Sequence, residues 1–172
     1  VRMIEDTDGF GTLIPESQSN IVYAKTNAKS IDDIAAVCGR IVKIGRKAKA
    51  SSSVGFGVSK HVASAILEIM QYHKSIRSAI NIKYDKKIIM ICKNLGLKIS
   101  NYDREKEPIE VKSNEGMSVK WGIKKATSKI NTIPDVIYHL GDWGKEPMIL
   151  VSGRNPSEVY SKIMSIIKYK NL

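Results

Sequence analysis

Short apolar runs of strand character alternate with segments of helical spacing along the whole chain, and this alternation constrains the fold more than any other feature. Strands are expected over residues 21–24, 40–44, 79–84, 97–102, 136–139 and 148–152. A helix is expected over 30–39, where Ser30 is a good N-cap, Asp32 and Asp33 suit the first turn and Gly39 stops it. The clearest helix opens at Ser59, with Val62, Ala65, Ile66, Ile69 and Met70 at helical spacing. Further helices are expected from Asp85 to the stop at Gly96, over 119–130, and over 156–169 with Pro156 in the first turn. Residues 49–57 are rich in small side chains and are expected to be loop, and 103–116 form a long polar excursion. Such an order covers both faces of a sheet with helices. Periodicity does not carry strand order or direction.

With 172 residues the chain can build one domain with a proper core. Residues 1–13 are expected to be an irregular lead or linker from a preceding domain, because the first residue is Val and the stretch is polar, which leaves 14–172 as the domain. The formal net charge of +11 would suit nucleic acid, but the lysines are spread along the chain instead of forming a stripe interleaved with aromatics. A Lys-rich and Ile-rich composition also serves surface charge networks in proteins adapted to heat. The expected partners are therefore small anions, with no nucleic acid. Cys38 and Cys92 sit in apolar runs without metal-knuckle spacing. No apolar run reaches membrane-spanning length and no signal-peptide pattern opens the chain, so a soluble, cytoplasmic protein without a membrane partner is expected.

Three constellations can carry chemistry. Gly55-Phe56-Gly57 leads through Val58 into Ser59-Lys60-His61 at the start of the best helix. Glycines permit close backbone approach, and helix N–H groups with Lys60 and His61 favour an anion. The competing reading is a tight loop in which Ser59 caps the helix. Neither the P-loop nor the dinucleotide fingerprint is present. His61 can be a donor, a proton shuttle or a bystander. Arg40, after Gly39 at a strand start, can project its fork toward a phosphate or form a surface ion pair. Asp135 and Asp142, near two strand ends, can hold Mg2+ for a diphosphate or simply form turns. No nucleophile elbow or Cys/His pair supports covalent catalysis.

Several segments in order give the chain a family resemblance. Ile14-Pro15-Glu16, Ser19-Asn20-Ile21-Val22-Tyr23-Ala24, Cys38-Gly39-Arg40, Gly55-Phe56-Gly57, Lys60-His61-Val62, Ser78-Ala79-Ile80-Asn81, Tyr102-Asp103-Arg104, Pro134-Asp135 and Gly141-Asp142 to Pro147-Met148 together resemble the ThiN domain. ThiN domains are archaeal and bacterial thiamine-phosphate synthases, often fused behind a hydroxymethylpyrimidine (phosphate) kinase. The resemblance implies a class II aldolase-like, three-layer α/β/α sandwich with a mixed, largely antiparallel sheet. It also implies an N-terminal kinase domain in the full-length chain, and leaves a homodimer open.

The implied reaction joins hydroxymethylpyrimidine diphosphate to hydroxyethylthiazole phosphate and releases pyrophosphate. Within the family an Arg after Gly and a His in the helix after the glycine loop are associated with catalysis, and Arg40 and His61 match them. Substrate contacts are then expected from Gly55, Phe56, Gly57, Ser59, Lys60, Asn81 and Asn20, with substrate-associated Mg2+ near Asp135 and Asp142; Glu146 and Arg104 rank below these. The alternative is a non-catalytic thiamine-phosphate sensor of a transcription regulator. Retention of both Arg40 and His61, and no helix-turn-helix before the domain, favour the enzyme.

Overall fold

The computed structural model describes residues 1–170 apart from 115 and 131. In chain order it contains α1 (Arg2–Asp6), β1 (Ile21–Ala24), β2 (Ile34–Val37), β3 (Ile41–Ile44), β4 (Lys47–Ala50), β5 (Val54–Phe56), α2 (His61–Tyr72) and β6 (Ser78–Lys83). Then follow α3 (Lys86–Asn94), β7 (Ile99–Asn101), α4 (Ile109–Lys112), α5 (Met117–Thr127), β8 (Val136–His139), β9 (Met148–Gly153) and α6 (Pro156–Lys170). The segment with the strongest burial, β6, explains the layering: Ser78 through Ile82 are all buried, so both faces of this strand must be covered. It sits at the centre of a seven-stranded sheet of order β5-β2-β1-β6-β9-β8-β7. Among the described residues only the β7–β8 edge is parallel; the other pairings are antiparallel.

The period-two alternation of the strands divides the core in two. One face presents Ile80, Ile82, Val136, Ile149 and Val151 to α3 and α6. The other presents Val22, Ala24, Ala36, Ala79 and Ile137 to α2 and α5. On α2 the buried residues are Val62, Ala63, Ala65, Ile66, Ile69 and Met70, the stripe that the spacing predicts. Burying Ile163 and Ile166 of α6 completely contributes about 2 kcal/mol each. Asp85 caps α3 by accepting from Lys87 N at 2.8 Å, and Gly96 with φ of 71° ends that region as expected. The sandwich is therefore three-layered with a mixed, largely antiparallel sheet. Among the described residues no helix is long and apolar enough to cross a membrane.

Three local expectations are corrected. Residues 30–39 are not a helix: Ser30 does cap a turn by accepting from Asp32 N, but the turn lasts only Ile31–Asp33 before β2 begins. Pairing of β2 with β1 on one side and β5 on the other overrides the local helix signal. Residues 49–57 are not all loop, because β4 extends to Ala50 and Val54–Phe56 pair with β2 as an edge strand. The strand expected over 40–44 exists as β3, but it pairs with β4 in a separate hairpin. Residues 1–13 are not irregular: α1 and a 3-10 turn over Phe10–Leu13 bury Ile4, Phe10 and Leu13 in the α6-side core. Glu5 pins this lead to the hairpin by accepting from Ala50 N at 2.9 Å. The 103–116 excursion contains a 3-10 turn over Arg104–Lys106 and the short α4; Glu115 within it lies outside the described residues.

Gly122 lets α5 lie against the loop after β7. A Cβ there would stand 2.3–2.7 Å from three atoms of the Tyr102 ring, which is itself buried. Gly122→Ala is expected to destabilise the fold by about 2 kcal/mol in urea unfolding, overpacking outweighing the helix-propensity gain. An unchanged midpoint would show that Tyr102 can yield.

Candidate active site

At one end of the sheet the α2–α5 layer stands off from the strands and leaves a cavity of about 580 Å³. It is entered past the start of β1, the turn after β2, the start of α2, the ends of β7 and β8 and the start of β9. Arg40, Ser59, Lys60, His61, Asn20 and Asn81 line it. So do Ser17, Lys145 and Glu146 from neighbouring loops, and Tyr102, Arg104 and His139 from the β7–β8 side. Val62, Ala65, Val119, Ile123, Ile137 and Leu150 give it apolar walls. Arg40 and His61, which the family resemblance assigns to one site, thus line one chamber.

The turn that presents Arg40 is tightly built. Gly39 has φ of 81°, and a Cβ there would sit 2.4 Å from Ser51 Oγ. That hydroxyl accepts from Arg40 N at 2.8 Å and lies 2.7 Å from Arg40 O. The Arg40 guanidinium donates through Nη1 to Ser17 O at 2.9 Å. Ser17 is held in turn by Glu146, whose carboxylate accepts from the N–H groups of Glu16 and Ser17 at 2.9 and 3.0 Å. Burial pushes the Glu146 carboxyl up, but the Ser17 and Glu16 N–H groups together hold it below the usual range. On the facing wall, α2 begins at His61, with Lys60 at the N-cap position, two residues later than the Ser59 start that the spacing predicts. The backbone start of the helix therefore borders the cavity, where its dipole favours negative charge.

Asn20 and Asn81, expected as substrate contacts, are mainly scaffolding. Asn20 is buried; its Nδ2 donates to Val37 O at 2.9 Å and to Gly39 O at 3.4 Å, and its Oδ1 accepts from Val37 N at 3.0 Å. Asn81 Oδ1 accepts from Asn20 N at 2.8 Å and its Nδ2 donates to Gln18 O at 2.9 Å. Both amides hold the two loops that carry Ser17 and Arg40. The glycine pair is corrected more strongly, since Gly55, Phe56 and Gly57 do not line the cavity. Gly55 belongs to β5, where a Cβ would meet Cys38 Sγ at 2.9 Å, and Gly57, with φ of 73°, packs against Asp32. Phe56 is exposed beneath Lys25, whose Nζ lies 4.9 Å from the ring centroid. These residues serve edge-strand packing, and the residues of this stretch that border the cavity are Val58, Ser59, Lys60 and His61.

The two carboxylates expected to hold Mg2+ do not converge. Asp135 precedes β8, whereas the cavity lies at the other end of that strand, about 13 Å away at ordinary strand rise. Its oxygens are taken by Lys162 Nζ at 2.6 Å and Lys98 N at 2.9 Å. Asp142 pairs with Lys112 Nζ at 2.7 Å and accepts from Trp143 N at 2.9 Å. Among the described residues no group of three or more His, Cys, Asp or Glu could hold a metal ion. Glu146 borders the cavity, but both its oxygens already accept backbone N–H groups. These side chains do not fit a protein-held magnesium site.

His139 is the site residue least visible in the sequence. Its Nδ1 accepts from Gly141 N at 3.1 Å, and its ring lies 5.1 Å from that of Tyr102, centroid to centroid. Burial, and next the charge of Arg104, push its imidazole from 6.5 down to about 4. Neutral His139 with Nδ1 as acceptor carries its proton on Nε2. Because the unfolded chain binds this proton at higher pH than the folded one, stability is full above pH 6.5 and falls as pH drops toward 4. His139→Gln is expected to remove about 2 kcal/mol of the difference in urea unfolding stability between pH 7 and pH 4.5. An identical pH slope in wild type and variant would show that His139 is not held neutral.

Comparison with known proteins identifies the family. The sequence model of the family described as thiamine-phosphate synthase ThiN matches residues 1–165. The chain belongs to the ThiN family. It is 44% identical to the thiamine-phosphate synthase ThiN of Methanothermobacter thermautotrophicus, over 100% of this chain and 91% of that protein. It is 41% identical to the bifunctional thiamine biosynthesis protein ThiDN of Methanocaldococcus jannaschii, over 93% of this chain but 37% of that longer protein. A crystal structure of the C-terminal domain of a phosphomethylpyrimidine kinase superposes with a TM-score of 0.90 at 48% identity, covering 96% of this chain and 92% of that one. The ThiN resemblance carried by scattered segments therefore extends to the whole domain, including the lead before residue 14. Within this ThiN fold, Arg40 and His61 share a cavity with Tyr102, Arg104 and Glu146, whose signal lay in the Tyr102-Asp103-Arg104 and Gly141–Met148 segments. Ser17 and His139 carried no comparable signal.

Proposed function

We infer that the chain is a thiamine-phosphate synthase and that the cavity at the sheet end is where hydroxymethylpyrimidine diphosphate meets hydroxyethylthiazole phosphate. The observation that carries this reading is the meeting of Arg40, Lys60 and His61 in one chamber that also has apolar walls from Val62, Ala65, Val119, Ile123, Ile137 and Leu150. The bond that breaks joins a methylene carbon to the diphosphate oxygen. The bond that forms joins that carbon to the thiazole nitrogen, which already owns its lone pair. No nucleophilic side chain or strong base is required. The protein must stabilise the departing pyrophosphate and align the two rings.

Arg40 supplies a planar fork, anchored on Ser17 O by one of its five N–H groups, to oxygens that gain charge as the bond breaks. Lys60 and His61 add charge and donors at the start of α2, where the helix N–H groups favour the same charge. The apolar walls exclude water that would otherwise capture the pyrimidinyl cation. Mg2+ is proposed to arrive on the diphosphate itself, since the cavity's carboxylate is already committed to backbone donors. Phosphorylated substrates, which do not cross membranes freely, support a cytoplasmic location. A pyrimidine kinase acting upstream, in the same full-length chain on the pattern of the bifunctional relative, would supply the diphosphate.

The test is incubation of the purified protein with both substrates, with and without Mg2+, followed by mass spectrometry. Thiamine phosphate and pyrophosphate in equal amounts are expected. Tight binding of thiamine phosphate with no turnover would make the domain a sensor instead.

A further inference from the structure

The cavity carries cationic groups at two ends, and the proposed chemistry uses one. Arg40 follows β2, and Arg104 lies beside the end of β8; in the sheet these strands are separated by β1, β6 and β9, about 19 Å at ordinary strand spacing. Arg104 is 6% exposed, and its Nη2 donates to Glu107 Oε2 at 3.2 Å. Among the described residues Arg104 Nε has no hydrogen-bond partner, and neither has the buried Glu107 Oε1. A buried pair kept only to hold the 104–107 turn would be expected to meet side by side with two bonds, or to be replaced by apolar residues at little cost. This pair makes one bond and leaves an atom of each partner unsatisfied. Arg104 also lines the cavity, and a buried guanidinium whose charge a single bond to Glu107 meets incompletely is a group that a bound anion would complete.

We propose that Arg104 forms a second anion subsite of this cavity, which holds the phosphate monoester of the thiazole substrate while the diphosphate lies at Arg40 and His61. The proposal rests on the synthase reading, in which one substrate carries a diphosphate and the other a monophosphate. Two cationic ends then fix the order of the rings, with the thiazole toward α5 and the pyrimidine toward α2. Tyr102 and His139 flank Arg104 and give the thiazole an aromatic neighbour, with the His139 Nε2 proton available as a donor.

The experiment is calorimetric binding of hydroxyethylthiazole phosphate and of the unphosphorylated thiazole alcohol, which needs no turnover. The variants are Arg104→Gln combined with Glu107→Gln, which keeps a neutral pair of similar shape, and Glu107→Gln alone. Wild type is expected to prefer the phosphate by about 30-fold, the size of a charge-assisted contact to a desolvated group. The double variant should lose that preference while its affinity for the pyrimidine diphosphate stays unchanged. Glu107→Gln alone, which releases Arg104 from a competing carboxylate, should bind the phosphate more tightly. Retention of the phosphate preference in the double variant, or no gain in Glu107→Gln, overturns the subsite. Absence of product from wild type would instead overturn the synthase reading, a result this binding measurement does not depend on.

Discussion

Arg40→Ala is expected to lower kcat by about 100-fold or more, and His61→Ala by a similar factor, the loss that follows removal of one preorganised donor from a developing oxyanion. The effect on the fold should be small in the first case. Arg40 is exposed, and among the described residues its side chain makes one hydrogen bond, to Ser17 O. Loss of a single solvent-facing bond changes stability by about 1 kcal/mol at most. Turnover and stability are therefore separable at this position. Arg40→Lys keeps the charge but loses the fork, so it should recover only part of the rate. If the protein acts by charge on the departing pyrophosphate, the loss falls on kcat more than on KM. Near-normal turnover in purified Arg40→Ala and His61→Ala would remove both residues from the chemistry.

Asn20→Ala should do the reverse, with its main effect on stability. The side chain accepts from Val37 N and donates to Val37 O in buried surroundings, and donates also to Gly39 O. Truncation leaves two Val37 backbone groups unsatisfied at the junction of β1 and β2. At about 1–3 kcal/mol for each abandoned group, a loss of about 3 kcal/mol is expected in urea unfolding. Because the same amide fixes Gly39, turnover should also fall, through a mispositioned Arg40. A substrate contact would behave differently, raising KM while leaving the unfolding midpoint in place. That outcome would return Asn20 to the list of ligands.

The layering and the helix stripes were legible in the residues, whereas the pairing of Arg40 with His61 came only with the family resemblance. Val62, Ile66 and Ile69 define a helix face through their own spacing, and 79–84 reads as a strand through its alternation, although that alternation does not announce the burial of Ser78 and Asn81 with their apolar neighbours. What could not be read is set by partners distant in sequence. Residues 34–37 satisfy a helical pattern as well as a strand pattern, and only β1 and β5 on either side decide between them. Gly55 and Gly57 have the composition of a phosphate cradle, yet their lack of side chains answers to Cys38 and Asp32 instead. Asp135 and Asp142 sit beside strand ends, but opposite ends of β8 face different surroundings, and each carboxylate meets a lysine that spacing does not announce. His139 gave no signal because its environment is assembled by Tyr102, Arg104 and the Gly141 N–H, all placed by the tertiary fold.

The central claim is that pyrophosphate leaves from the Arg40 end of the cavity during bond formation to the thiazole. Its most direct measurement is a single-turnover reaction in which excess protein is loaded with the pyrimidine diphosphate and then mixed with thiazole phosphate. Wild type should release pyrophosphate and form thiamine phosphate in step, and Arg40→Ala, loaded to the same degree, should do so about 100-fold more slowly. Equal rates in the two proteins, or a loaded wild type that releases no pyrophosphate when the thiazole is added, would contradict it.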